Sequence, residues 1–379
     1  MRGHIRKRGS KWCVVLFLGY DEKGKKKYKW HSGFNTKKEA EKFLAAKVQE
    51  VHAGLYTEPS KDTFAAFLDK WLDDKKSRVR LRTYEIYERT IRLHVKPHLG
   101  HIELGKLKPQ HLREFYAKLQ SGDKPLSNRY VSQIHTMIHD ALETAVSWEY
   151  LPRNVADMVK APKPEQKKFS VWTLEEVQRF LEVARHDRFY IAYLLAITTG
   201  MRQGEILALR WSDIDLPNGR LFVQRTTTQV RGTIEFGDPK SDSGKRMIAL
   251  PHEVIGDLLK HKKDQDREKE LMGDAYRDQD LVVARKNGDV VAQSLLREHF
   301  TKLIQKADLP YIRFHDLRHT HASLLLQQGV HPKIVSERLG HSKISITLDT
   351  YSHVLPGLQE QVAKDFGNAL FGNRNALPK

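Results

Sequence analysis

The stretch RFHDLRHTHASLLLQQG, Arg313 to Gly329, crowds His315, Asp316, Arg318, His319 and His321 into its first turns and then becomes apolar. Two chemistries fit those residue types. His315 and His319 are four apart and share a helix face, and HDLRH lies one methylene from the zinc-binding spelling H-E-x-x-H. His315 and Arg318, three apart on that face, are alternatively a pair suited to holding a phosphate. The zinc reading needs a third ligand and a carboxylate base of glutamate length. No downstream H-x-x-G-x-x-H or suitably placed glutamate supplies them, so no metal site is expected.

The rest of the chain leans toward phosphate. Its 379 residues exceed one ordinary core and suggest several domains. With 40% hydrophobic and 30% charged residues, the composition is that of a folded, soluble protein. The formal net charge of +18 suits a polyanion partner, because each phosphate neutralised by Lys or Arg releases condensed counterions. Cys13 is the single cysteine, which rules out an intrachain disulfide and points to the cytoplasm. No apolar run approaches membrane-spanning length, and MRGHIRKRGS lacks the apolar centre of a signal peptide.

Residues 1–56 carry 14 Lys/Arg against 5 Asp/Glu, half of the total net charge. Within them KWCVVLFLGY alternates Trp12, Val14, Leu16 and Leu18, and KKKYKWHSGF follows after a DEKGK turn, predicting a β-hairpin. A helix is expected next, opened by Thr36 with Glu39, carrying Phe43, Leu44, Val48 and Val51, and closed by Gly54. A small sheet with one helix, its strands mixing lysines and aromatics, suits a β-sheet reader of DNA through Lys11, Lys25, Lys27 and Lys29. Residues 1–57 are taken as this first domain.

From residue 62 the pattern turns helical. Phe64, Phe67, Leu68, Trp71 and Leu72 fall on one helix face. Helices are expected near Thr83–Val95, Pro109–Leu119 and Ser127–Trp148, with KPHLGHIELGKLK and SGDKPLS as connections. Arg82, Arg89 and Arg92 line the second, either as a solvated face or as a grip on a duplex backbone. The helical domain spans 62–159. KAPKPEQKKF then reads as a linker across 160–170. Thr173 and Glu176 open the next helix with a capping box, and three short β segments (GRLFVQR, GTIEF and KRMIAL) alternate with helices in 171–379.

Three stretches beyond the linker fix the reading. TTGMRQGEILALRWSDID sets Arg202 after a Gly-Met turn with Glu205 three residues on. HDLRHTHAS supplies His315 and Arg318, and RLGHSKISITLDTYSHV supplies His341 and Tyr351. In order, interval and wording this set resembles the tyrosine recombinases, or phage integrases, whose signature is a distant Arg, H-x-x-R, a His or Trp, and a nucleophilic Tyr. The resemblance covers nearly the whole chain: the basic module resembles an arm-type DNA-binding domain, and the helical module a core-binding domain. It implies a multidomain, mainly α protein with small β-sheets and a mixed α/β catalytic domain.

The resemblance implies roles as well. Arg202 and Arg318 would clamp a scissile phosphate, since planar, permanently charged guanidiniums stabilise charge gathering on its oxygens. Tyr351 would attack to form a 3′-phosphotyrosyl bond, His315 would take its proton and His341 would donate to the phosphate. A hairpin lysine would protonate the leaving 5′-oxygen; Lys240 fits the P-K-[ST] spelling, with Lys245 as rival. Glu205 either orients Arg202 or a neighbouring histidine, or is a carboxylate favoured at a helix N-terminus. Asp316 and His319 would be supporting residues, whereas His321 and His331 read as surface histidines. No cofactor is implied. The implied partners are core-type and arm-type DNA sites, three further copies in a tetramer, a directionality factor and a host DNA-bending protein, met at the bacterial nucleoid. A type IB topoisomerase and a non-catalytic DNA-binding regulator are the alternatives.

Overall fold

The computed structural model describes residues 3–20, 24–52, 61–165, 170–230, 232–239, 242–351 and 358–371. The chain divides into two units, Met1–Gln166 and Lys167–Lys379. In the first, the expected hairpin gains a third strand. Strands β1 (Gly3–Arg8), β2 (Lys11–Tyr20) and β3 (Lys26–Phe34) form an antiparallel sheet in that order, with β2 central. HIRKR has no apolar alternation to announce β1; its strand state comes from pairing, with Ile5 opposite Val14 and Arg6 opposite Cys13.

Helix α1 (Lys37–His52) covers one face, where Phe43 sits 5.0 Å from the rings of both His31 and Phe34. Its capping pattern is offset by one residue: Thr36 Oγ1 accepts from the Glu39 amide, but Glu39 accepts from Asn35 N. Gly54 lies outside the described residues. The pleat sorts the cations predicted to touch DNA. Lys27 and Lys29 share the α1 side with His31, whereas Lys11 lies on the other face with Arg6, Tyr28 and Trp30. Tyr28 and Trp30 are 46% and 51% exposed.

The helical part of this unit is built on α2 (Phe64–Arg78), which Thr63 caps by accepting from Ala66 N at 3.2 Å. All five residues of its predicted face are buried. Helix α3 (Leu81–Thr90) does not stop before Pro97. It widens into one π-turn, Ile91–Val95, and runs on as α4 (Lys96–Leu99). A proline donates no i→i−4 bond, and a widened turn ahead of it absorbs that loss without breaking the helix. Helices α5 (Pro109–Leu119) and α6 (Asn128–Ser147) complete the layer. On α3 and the π-turn, Arg82 and Arg92 are exposed but held by Glu85 and Glu88 on their own helical face. Arg89 is exposed.

The second unit begins with α7 (Leu174–Ala184), where the expected capping box forms in both directions between Thr173 and Glu176. Helix α8 (Tyr190–Thr199) is apolar on all sides and runs through the core, as a helix without a polar face must. Short α9 (Gln203–Leu207) leads to β4 (Ile214–Asp215), β5 (Arg220–Val223), the hairpin β6 (Thr226–Val230) and β7 (Thr233–Gly237), and β8 (Arg246–Ala249). The sheet order is β4-β5-β8. Helices α10 (His252–Met272), α11 (Gln293–Lys306), α12 (Asp316–Gln327), α13 (Pro332–Leu339), α14 (Ile344–Tyr351) and α15 (Leu358–Phe371) follow. Trp172, Phe180, Tyr193, Phe300 and Phe314 form the aromatic heart of this core. Among the described residues no helix is long and apolar enough to cross a membrane.

Candidate active site

The end of α8 assembles the site. A helix leaves its last carbonyls without intrahelical partners, and they attract donors and positive charge. Here three side chains from α12 and α13 supply them: His321 Nδ1 bonds Ile197 O at 2.7 Å, Arg338 donates to Thr198 O at 2.8 Å, and Arg318 Nη1 donates to Gly200 O at 2.7 Å. Gly200 makes this possible. Its φ of +67° ends the helix, and a Cβ there would lie 2.6 Å from both His321 and Leu339. His321 is therefore a buried structural residue, 5% exposed, and not the surface histidine expected. His331 does lie on the surface, where its ring accepts from Lys333 N.

Anchoring Arg318 leaves half of its fork unused. The residue is 3% exposed, and its Nη2 is buried with no hydrogen-bond partner. A buried guanidinium nitrogen left unpaired is costly and calls for an anion. Burial, then the charge of Arg202, lower the Arg318 pKa to about 9, which still leaves it a cation at neutral pH.

Arg202 is set from the other side. Glu205 Oε1 accepts from Arg202 Nη1 at 2.7 Å and Oε2 accepts from its amide at 3.0 Å. Glu205 is thus both a helix cap and the orienting partner of Arg202. It is also tied to Arg246, which donates to Glu205 Oε2 at 3.0 Å and to Arg338 O at 2.7 Å. Burial alone would raise the Glu205 pKa, but Arg246 and then Arg202 outweigh it and hold the carboxyl below its ordinary value.

Arg246 was missed in the sequence, although a signal existed: alternation in RMIA puts it on the inward side with Ile248, where a cation needs a partner. Replacing Arg246 by Met strips most of the compensation from a buried carboxylate. The expected loss is about 3–5 kcal/mol of stability, read as a fall in Tm, with part recovered by adding Glu205→Gln.

His341 follows the left-handed Gly340, where a Cβ would press on Ser243 O at 2.8 Å and on Arg246 at 3.0 Å. Its Nδ1 lies 2.8 Å from Thr347 Oγ1. Tyr351 ends α14 packed on Ala322, Leu326, Val335 and Leu339, only 1% exposed. Its hydroxyl lies 2.8 Å from His319 Nδ1, and burial raises its pKa to about 12 against the pull of Arg318 and Arg202. His315, an exposed residue at the α12 N-cap, meets His319 edge-to-face at 5.2 Å. Asp316 forks onto Arg313 at 2.7 and 2.9 Å and accepts from its amide, bracing the start of α12. Lys240 lies outside the described residues; Lys245, exposed, pairs with Asp238 at 3.0 Å. Among the described residues no three His, Cys, Asp or Glu side chains gather as a metal site.

Burial, reinforced by neighbouring charge, keeps these histidines neutral. Burial first, then neighbouring charge, lowers the pKa of His319 to about 4 (chiefly His315) and that of His341 to about 4 (chiefly Arg318). Because the fold favours the neutral imidazoles, protonation favours the unfolded chain. Their contribution to stability is full above the ordinary histidine pKa of 6.5 and drains away as pH falls toward about 4. Thermal melts across that window are expected to show a falling Tm that flattens in a His319→Gln/His341→Gln double variant.

Comparisons with known proteins bear on the family and the fold. Residues 171–357 match the phage integrase family, residues 63–120 its N-terminal SAM-like domain, and residues 4–48 an arm DNA-binding domain. A protein named tyrosine recombinase XerC-like from Caldanaerobacter subterraneus is 31% identical over 374 residues, covering 93% of this chain and 95% of that protein. The ICEBs1 integrase of Bacillus subtilis is 26% identical over 95% of this chain and 98% of its own length. Among solved structures, the Tn1549 transposon integrase in complex with a circular intermediate DNA superposes with a TM-score of 0.69 at 20% identity, covering 80% of this chain and 99% of that one. A lambda integrase dimer bound to a core site gives a TM-score of 0.56 at 19% identity, over 92% of this chain and 94% of that one. Three domain models matched in order along one chain, and a recombinase shared over nearly its full length, place the protein in the phage integrase family of tyrosine recombinases.

Proposed function

We propose that the protein joins and excises a mobile element by cutting DNA with Tyr351 and resealing it to a different strand. The observation that carries this is a buried phenol, 2.8 Å from His319, lying in the field of Arg318 and Arg202, the first of which keeps a buried nitrogen with no hydrogen-bond partner. In this reading Arg202 and Arg318 take the non-bridging oxygens of a phosphodiester and His341 donates to the same group. Tyr351 Oη attacks phosphorus and the 5′-oxygen leaves, giving a 3′-phosphotyrosyl bond that stores the energy for rejoining. Lys240 protonates the departing oxygen. No metal or nucleotide takes part. Tyr351 and Arg318 are both covered as folded here, so DNA must displace that cover to reach them.

The domains divide the work accordingly. Residues 1–57 bind arm-type sites, 62–159 bind core-type sites, 171–379 carry out the chemistry there, and 160–170 is the linker. Strands pass in pairs through a Holliday junction within a tetramer, as the solved lambda integrase tetramer on such a junction suggests. The apolar side chains Val362, Phe366, Leu370 and Phe371 of α15, each more than half exposed, dock on a neighbouring protomer. A directionality factor and a host DNA-bending protein set the outcome, in the cytoplasm.

Mixing two duplexes that carry the element's ends with the protein in EDTA tests the reading. Four-way junctions and recombinant strands are expected. Relaxation of any supercoiled plasmid, with no exchanged strands, would instead indicate topoisomerase action. Binding without any cleavage would indicate a regulator.

A further inference from the structure

Within the strand-transfer reading just given, we infer that His319 is the group that takes the proton of Tyr351. The resemblance assigns that proton to His315, but geometry favours the residue one turn further along α12. His319 Nδ1 lies 2.8 Å from Tyr351 Oη, with the rings 5.6 Å apart. A phenol donates to an imidazole nitrogen only if that nitrogen carries no proton, so the other ring nitrogen holds it. His315 sits edge-on against His319, with its own ring reaching the surface. It is thereby free to serve the phosphate, which leaves one histidine for the nucleophile and one for the substrate.

The surroundings suit a proton acceptor at rest. His319 faces His315, Asp316 and Arg318 on its own helix, Arg313 just before it and Tyr351 from α14. Burial and the cations favour its neutral form, the form that accepts; the nearby Asp316 carboxylate supports the imidazolium once it forms. In the step itself the phenolic proton moves from Tyr351 Oη to His319 Nδ1 while the O–P bond forms. The P–O5′ bond breaks, and the departing oxygen takes its proton from Lys240. Religation reverses each transfer, returning the His319 proton to Tyr351.

The test uses the full chain and nicked duplexes tiled across the DNA flanking its gene, following covalent adduct formation in a single turnover across pH. Gln at 319 accepts a hydrogen bond but takes no proton. His319→Gln is therefore expected to slow the adduct by about 10²–10⁴-fold and to lose the acidic limb of the wild-type profile, with DNA affinity unchanged. A ring-fluorinated, more acidic tyrosine at 351 should restore much of the lost rate. His315→Gln should be slow yet keep the limb. A His319→Gln enzyme within threefold of wild type, or one that retains the limb while His315→Gln loses it, overturns the inference. Absence of any wild-type adduct would count against strand transfer itself. The contact is still testable then: the ¹⁹F signal of 3-fluorotyrosine at 351 should move on acidification in wild type and not in His319→Gln. A signal that behaves alike in both overturns the inference without any DNA.

Discussion

Tyr351→Phe is expected to abolish covalent capture of DNA and recombination, lowering turnover by at least about 10⁴-fold, the scale seen when a nucleophile is deleted from a cooperating set. The substitution removes one oxygen and little else. Tyr351 packs on Ala322, Leu326, Val335 and Leu339 through its ring, which Phe retains. The hydrogen bond lost to His319 is worth about 0.5–1.5 kcal/mol of stability, so the variant should fold and melt close to wild type. DNA affinity should stay within a few-fold, because the arginines proposed to hold phosphate are untouched. Gel-shift and denaturing-gel assays on one sample separate the two effects. A variant that still forms adduct would assign the nucleophile elsewhere.

Arg318→Lys is expected to slow cleavage by about 10²–10³-fold, the cost of losing one donor at a developing oxyanion. Charge is conserved in this change, so a simple electrostatic role would predict little effect. The guanidinium does two things at once. Nη1 caps Gly200 O at 2.7 Å, while Nη2 is buried without a partner. An ammonium is a point charge that cannot keep both positions in the same fork. Either the α8 terminus loses its cap or the proposed phosphate site loses its donor. Single-turnover rates for Arg318→Lys within threefold of wild type would show that the fork geometry carries no weight.

Much of this arrangement is legible in the sequence. The α2 face, the Thr173–Glu176 box and the order Arg202, His315, Arg318, His341, Tyr351 each follow from local pattern or motif spelling. What escaped depends on partners that the local pattern does not announce. Strand β1 has no amphipathic signal of its own and exists because β2 offers an edge. The π-turn before Pro97 is a compromise among neighbours that residue propensity does not encode. His321 reads as a surface residue until the bare carbonyl of Ile197, far back in the sequence, is brought to it. Arg246 is the consequential miss, and His319 reads from the sequence only as a supporting residue. The contacts that matter cross the fold: Arg246 to Glu205 and to Arg338 O, His319 to Tyr351. Motif spelling ranks residues by how often a family uses them, and so it named His315 first; packing of α14 against α12 puts His319 at the phenol.

The central claim is that Tyr351 becomes covalently joined to DNA, and one experiment addresses it most directly. The full chain is incubated in EDTA with nicked duplexes tiled across the DNA flanking its gene; the adduct is digested and the modified peptide sequenced by mass spectrometry. The account predicts a nucleotide attached through its 3′-phosphate to Tyr351, formed without added metal or nucleotide and absent from Tyr351→Phe. Attachment to another residue, or an adduct that survives in Tyr351→Phe, would contradict it.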